Sequence, residues 1–209
     1  MDTDRDLLER WRAGEMASGQ TLLRRHFRSV YTFFVNKVSG SPDDLIQETF
    51  RACVESRGTI RDGSSFRAFL LTIARRELYR SYRTRMQVEE FDPSRVSVSQ
   101  LLASPTSVLV KEEHQRHLLQ SLRLLPVELQ LVLELTYWEQ LPAAEAAEVL
   151  EVPVGTLKSR LRRAREALRE LFAEVAQTAG ANNTTADDID RWVESLREEL
   201  AVRARPSLD

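Results

Sequence analysis

The chain has 209 residues, with 30 Lys and Arg against 32 Asp and Glu and a formal net charge of −2. That length suits one or two small domains, and the charge excludes a generally basic protein that coats nucleic acid. A single cysteine, Cys53, excludes an internal disulfide and a cysteine-based zinc framework.

Glycine and proline are sparse, at seven each, and strand signals are weak, so an all-α fold is predicted. The N-terminal MDTDRDLLER is too charged for a secretory signal, and no apolar run reaches membrane-span length. A cytoplasmic protein without membrane insertion is therefore expected. Leu23, Phe27, Val30, Phe34 and Val38 form the first apolar stripe, which ends at Gly40-Ser41-Pro42. Ser41 or Asp43 can cap the next helix, which should bury Ile46, Phe50 and Cys53 and present Asp44, Gln47, Glu48 and Arg51. A polar loop, 57–65, leads to a helix from Phe66 to about Arg85 that buries Phe66, Leu70, Ile73, Ala74 and Leu78. Residues 86–112, with Pro93, Pro105 and many Ser and Val, read as a linker. A second helical module follows from about Glu113 to Val175. Beyond a Gly-Ala-Asn-Asn-Thr-Thr break, a short amphipathic helix is predicted over about Ala186–Arg203.

Charge is segregated along this plan. Residues 51–85 carry nine Arg against three acids, whereas 176–209 carry seven acids against four Arg. The most informative stretch is Trp138–Arg169. Pro142 permits a helix start, and Ala146, Ala147 and Leu150 make a small apolar face that a second helix can cross closely. Glu151-Val152-Pro153 forms the turn. The second helix buries Leu157, Leu161, Ala164 and Leu168, and its opposite arc holds Gly155, Lys158, Ser159, Arg162 and Arg163. Arg160 and Arg165 add to a cluster with no acid between Thr156 and Arg165. Such crowded like charges gain from neutralising phosphates, so this is a helix-turn-helix whose second helix is shaped for a DNA major groove. No catalytic centre is predicted. His26, His114 and His117 are scattered, and surface positions are expected for the latter two. No cofactor or metal is expected.

Two motif pairs now stand in order: DDLIQETFRA with GSSFRAFLLTIAR, and LPVELQLVLEL with VPVGTLKSRLRRAR. Together they resemble the group IV, or extracytoplasmic-function (ECF), sigma factors of the bacterial sigma-70 family, over roughly residues 1–175. The resemblance implies two small helical domains joined by a linker, plus a short C-terminal helical extension. Residues 1–88 would dock on core RNA polymerase and open the −10 element, 89–112 would link, 113–175 would read the −35 element, and 176–209 would be an acidic, regulatory extension. It implies docking of Asp44, Leu45, Gln47 and Glu48 on the beta-prime clamp, with the beta flap as a second polymerase contact. It assigns Arg61, Asp62, Ser64, Ser65, Arg75, Arg76, Arg80 and Arg83 to the −10 element. Gly155, Thr156, Lys158, Ser159, Arg160, Arg162 and Arg163 fall to the −35 element, with Arg160 and Arg165 on phosphates. Promoter DNA and an anti-sigma factor are the further partners it suggests.

The chain departs from the family pattern at several of these places. Ile60 stands where an aromatic is frequent, Phe69 where Trp is, Arg76 where Asn is usual and Arg80 where Asp is frequent. Glu151 stands where the turn usually has Gly. Two other readings remain at this point: a helix-turn-helix regulator that never joins polymerase, and a helical adaptor whose Arg patches bind acidic proteins.

Overall fold

The computed structural model describes residues 2–60, 65–102 and 113–178. The expected loop residues Arg61, Asp62 and Ser64 and the expected C-terminal helix lie outside these. The described residues form α-helices with an isolated bridge between Ser97 and Pro126.

The first helix, α1 (Asp4–Arg12), was not apparent from periodicity. A capping box starts it: Asp6 N–H donates to Thr3 Oγ1 at 3.2 Å, and Thr3 N–H donates to the Asp6 carboxylate at 2.9 Å. Its Leu7, Leu8 and Trp11 are buried against α2 (Met16–Val35). That docking rotates the buried face of α2. Leu22 and His26 lie inside, and Leu23 and Phe27 are only half-buried. His26 Nε2 sits 2.6 Å from Asp4 Oδ2, with its ring 5.4 Å from Phe66. Burial holds the imidazole below its ordinary pKa, against the opposing pull of Asp4.

Helix α3 (Asp43–Ser56) starts after Pro42, and Ser41 and Asp43 bond one another rather than capping the helix by a side chain. It buries Ile46 and Cys53, and burial pushes the Cys53 thiol up to about 12. A 3₁₀ turn (Arg57–Thr59) precedes the loop, and α4 (Phe66–Met86) begins with the Ser65 hydroxyl accepting from Ala68 N–H at 3.3 Å. Phe66, Leu70, Ile73, Ala74 and Leu78 are all buried, as the periodicity requires.

The linker is ordered where it is described. Val98, Leu101 and Leu102 are buried, with 98–101 forming the short α5 (Val98–Leu101). Val127 N–H donates to Val96 O at 2.9 Å, and Glu128 N–H donates to Pro93 O at 3.0 Å. This segment is a strap laid along the second module. That module comprises α6 (Glu113–Leu124), α7 (Val127–Leu133), a π-helical turn (Glu134–Trp138), α8 (Ala143–Leu150) and α9 (Val154–Thr178). His117 is buried on α6, correcting the expected surface position, because α6 packs against α9 on one side and the strap on another.

The two modules also pack directly on each other. Leu70, Ile73, Ala74 and Leu78 of α4 belong to the same apolar cluster as Val127, Leu131, Leu135, Ala146 and Leu150 of the second module. A second cluster joins Val35 of α2 to Leu118, Leu122, Leu129, Leu168 and Phe172.

Candidate nucleic-acid and polymerase interface

Helix α9 is held by one face. Leu157, Ala164, Leu168 and Phe172 are buried, and Leu161 is half-buried. Lys158, Ser159, Arg162 and Arg163 therefore project to solvent, with Gly155 exposed at the amino end and Thr156 half-buried. An added Cβ at Gly155 would meet nothing within 4 Å, so the first-turn amides are open to an approaching phosphate. Arg162 pairs at 3.1 Å with Glu166, one turn on, both side chains being more than half exposed. Arg160 differs: its guanidinium lies 2.9 Å from the buried Glu128 carboxylate, within the module. Arg165 is half-buried.

On α3, Asp44 and Gln47 are exposed, and Leu45 and Glu48 are half-buried, so all four lie along one accessible strip. Glu48 carries an ion pair to Arg51 on the same helix. Phe50 lies behind the strip, its ring 6.1 Å from Phe27. At the entry to the loop, Arg12 of α1 donates to the carbonyls of Arg57 and Ile60, anchoring the point at which the chain leaves the 3₁₀ turn.

The arginines of α4 separate into two groups. Arg76, Arg80 and Arg83 are exposed; Arg80 faces Glu77 at 3.6 Å. Arg75 is buried in the seam between modules. Its Nη1 donates to Leu150 O at 3.2 Å, its Nη2 lies 2.5 Å from Glu151 Oε2, and its guanidinium carbon sits 5.4 Å from the Tyr79 ring centre. Arg76 donates to Glu151 Oε1 from Nε at 3.2 Å and from Nη2 at 2.6 Å. Partial burial raises the pKa of Glu151, but hydrogen bonds from Arg76 and Arg75 outweigh it and hold the carboxyl below its ordinary range. Glu151 itself occupies the left-handed region, φ 56 and ψ 43, at the turn of the helix-turn-helix.

A second polar cluster lies deeper in the same seam, and sequence reasoning missed it. Lys37, fully buried at the end of α2, pairs with the buried Glu134. Asn36 Nδ2 and Gln130 Nε2 donate to Glu134 Oε1 at 2.9 and 2.8 Å. Arg123 Nε donates to Asn36 O at 3.2 Å. Burial lowers the pKa of Lys37, and Glu134 opposes that shift. The residues are nearly a hundred positions apart in the chain, so no local pattern marks them as partners.

Comparison with known proteins then decides the family. Residues 21–88 match the family model for sigma-70 region 2, and residues 115–168 match that for sigma-70 region 4. The chain is 26% identical over 178 residues to the ECF RNA polymerase sigma-E factor of Salmonella typhimurium, spanning 79% of this chain and 92% of that protein. It is 27% identical over 191 residues to the RNA polymerase sigma-H factor of Pseudomonas aeruginosa, spanning 85% and 98%. The chain belongs to the ECF sigma factors of the sigma-70 family. Solved structures share the sigma factor's fold. CnrH in complex with the cytosolic domain of CnrY has a TM-score of 0.61 at 22% identity, over 83% of this chain and 99% of that one. The sigma factor RpoE of Bartonella quintana, in complex with the anti-sigma factor NepR, has a TM-score of 0.60 at 22% identity, over 74% and 96%. As an RNA polymerase sigma factor, the protein acts in transcription initiation. The α3 strip and the α4 arginines fall within region 2, and the exposed arc of α9 falls within region 4.

Among the described residues no helix is long and apolar enough to cross a membrane, and no three His, Cys, Asp or Glu are grouped to hold a metal ion.

Proposed function

We propose that this sigma factor docks α3 on the beta-prime clamp of core RNA polymerase through Asp44, Leu45, Gln47 and Glu48, and that region 4 meets the beta flap. In this reading residues 1–88 are the polymerase-docking and −10 module, 89–112 the connecting strap, 113–175 the −35 module and 176–209 an acidic extension with a regulatory role. Lys158, Ser159, Arg162 and Arg163 of α9 read base edges of the −35 element, and Gly155 and Thr156 receive a phosphate at the helix start. Arg61, Asp62, Ser64 and Ser65, with Arg76, Arg80 and Arg83, hold the opened −10 strand by its phosphates and unstacked bases. An anti-sigma factor is a further proposed partner, since proteins of this fold have been solved with one. The site of action is the cytoplasm.

The observation that carries this reading is the solvent-facing cationic arc of α9, fixed by a buried opposite face, in one chain with the accessible acidic and amide strip of α3. A regulator that works without polymerase would leave that strip without a role. The test is co-migration with core polymerase and in vitro initiation, using the native factor and Glu48→Lys. The native factor is expected to co-migrate and initiate. Glu48→Lys places a cation in the docking strip, away from the core, so it should fold and fail to co-migrate. Unchanged co-migration of the variant removes α3 as the docking element.

A further inference from the structure

Helix α1 stands ahead of the matched region 2, which begins at residue 21, yet it reaches both ends of the loop proposed to hold the −10 strand. At the entry, Ile60 leaves the 3₁₀ turn in extended backbone, so its carbonyl lies beyond the bonds of the turn itself. Arg12 supplies the donors: Nε to Arg57 O at 3.5 Å, and Nη2 to Ile60 O. A guanidinium suits that task, because its planar fork presents several N–H groups in fixed geometry. The same backbone is held from other sides. Ile60 is 4% exposed, and Arg57 Nη1 donates to Val54 O at 2.9 Å. The Arg57 guanidinium carbon lies 5.8 Å from the ring centre of Trp11, also on α1. At the exit, the Ser65 hydroxyl caps α4, and the buried Phe66 packs on the ring of His26, whose Nε2 is 2.6 Å from Asp4 of α1. Ile60 and Ser65 are thus the two feet of a short span, and α1 braces both.

We propose that Arg12 is a positioning residue for −10 recognition: by bridging the Arg57 and Ile60 carbonyls it sets the point and direction from which residues 61–65 meet the −10 strand. Arg12 is half-buried with these donors turned to backbone, so it places its neighbours rather than touching DNA. The span it controls has little slack. The five Cα steps from Ile60 to Ser65 cover at most about 18 Å, so a shift of the entry foot passes into the groups the span carries. Groups that select a base must be held to within about 0.5 Å, and supporting hydrogen bonds are what hold them. Helix α1 keeps its own core through Leu7, Leu8 and Trp11, so removing the fork loosens the foot without undocking the helix. The inference rests on the reading of residues 61–65 as −10 contacts.

Arg12→Ala and Arg12→Lys test it in the full chain with core polymerase. Lys keeps the charge and the stem but presents one compact head, which cannot span two carbonyls. The probe is a promoter that the native holoenzyme opens, together with its single-base changes across the −10 element. The quantity read is the holoenzyme concentration at half-maximal opening on each changed sequence, divided by that on the original. Lost stability or polymerase affinity scales every sequence alike and leaves this ratio alone, whereas a misplaced loop lowers it. Arg12→Ala should lower the ratio on the order of 3–10-fold, the worth of about one hydrogen bond, and Arg12→Lys should lower it by less. A native ratio in Arg12→Lys overturns the bridge, even if Arg12→Ala fails to fold. One chain carrying both Asp62→Ala and Ser64→Ala separates this proposal from the reading beneath it. If that chain keeps the native ratio, residues 61–65 do not select the base, and the −10 assignment falls and takes the proposal with it. If it loses the ratio while Arg12→Lys keeps it, the assignment stands and the role of Arg12 goes.

Discussion

Arg160 and Arg162 are two positions apart on α9 and have opposite fates. Two residues turn a helix by about 200°, so one guanidinium meets Glu128 inside the module and the other meets solvent. The period alone therefore placed Arg162 correctly on the exposed arc. It could not place Arg160, whose partner stands on a different helix. Arg162→Ala should weaken promoter binding by about 1–3 kcal/mol if the side chain reads a base edge. A panel of −35 sequences in a binding titration checks this, because an equal loss on every sequence marks a phosphate contact instead. Glu151 shows the other limit. As a sequence feature it is an odd residue at a turn, where a left-handed conformation costs a non-glycine residue about 1–2 kcal/mol. Its two arginine partners, 75 and 76 positions earlier, give the choice a physical reason.

At the scale of the element, the strongly periodic helices α3, α4, α8 and α9 were legible. Their buried residues repeat at three- and four-residue steps and their boundaries carry turn residues. α1 was not. A nine-residue helix is marginal alone and forms here because its cap and its docking on α2 support it. The docking is tight: a Cβ added to Gly19 would lie 2.4 Å from Nε1 of the buried Trp11 ring. Gly19→Ala should therefore lower the unfolding free energy by about 1–3 kcal/mol through overpacking. Denaturant titration measures it, and a neutral or stabilising result would show that α1 shifts freely. Residues 86–112 read as a linker from their Pro, Ser and Val content, yet within the strap Val98, Leu101 and Leu102 are core. Composition describes a segment's average, whereas burial depends on the surface it meets.

For the whole molecule, the two sequence-defined modules share apolar clusters and a buried ion pair. Breaking that seam exposes Leu and Val side chains of both modules and leaves Lys37 and Glu134 apart, so closed protein should unfold as one unit. Calorimetry of the native chain should give a single transition with equal calorimetric and van't Hoff enthalpies. Two resolved transitions would show that the modules are independent in solution.

The amino-acid sequence by itself determined that the protein is helical, that it carries a helix-turn-helix with a cationic outer arc, and that its two halves match sigma-70 regions 2 and 4 in order. The first two depend on local period, turn chemistry and charge spacing, all of which act over a few residues, and the third on the resemblance carried by the ordered motifs. Only the tertiary structure decided that the halves pack on each other, that Arg75 pairs with Glu151, and that Lys37 finds Glu134. These depend on groups far apart in the chain, brought together by shared burial of apolar surface, a force with no direction along the sequence.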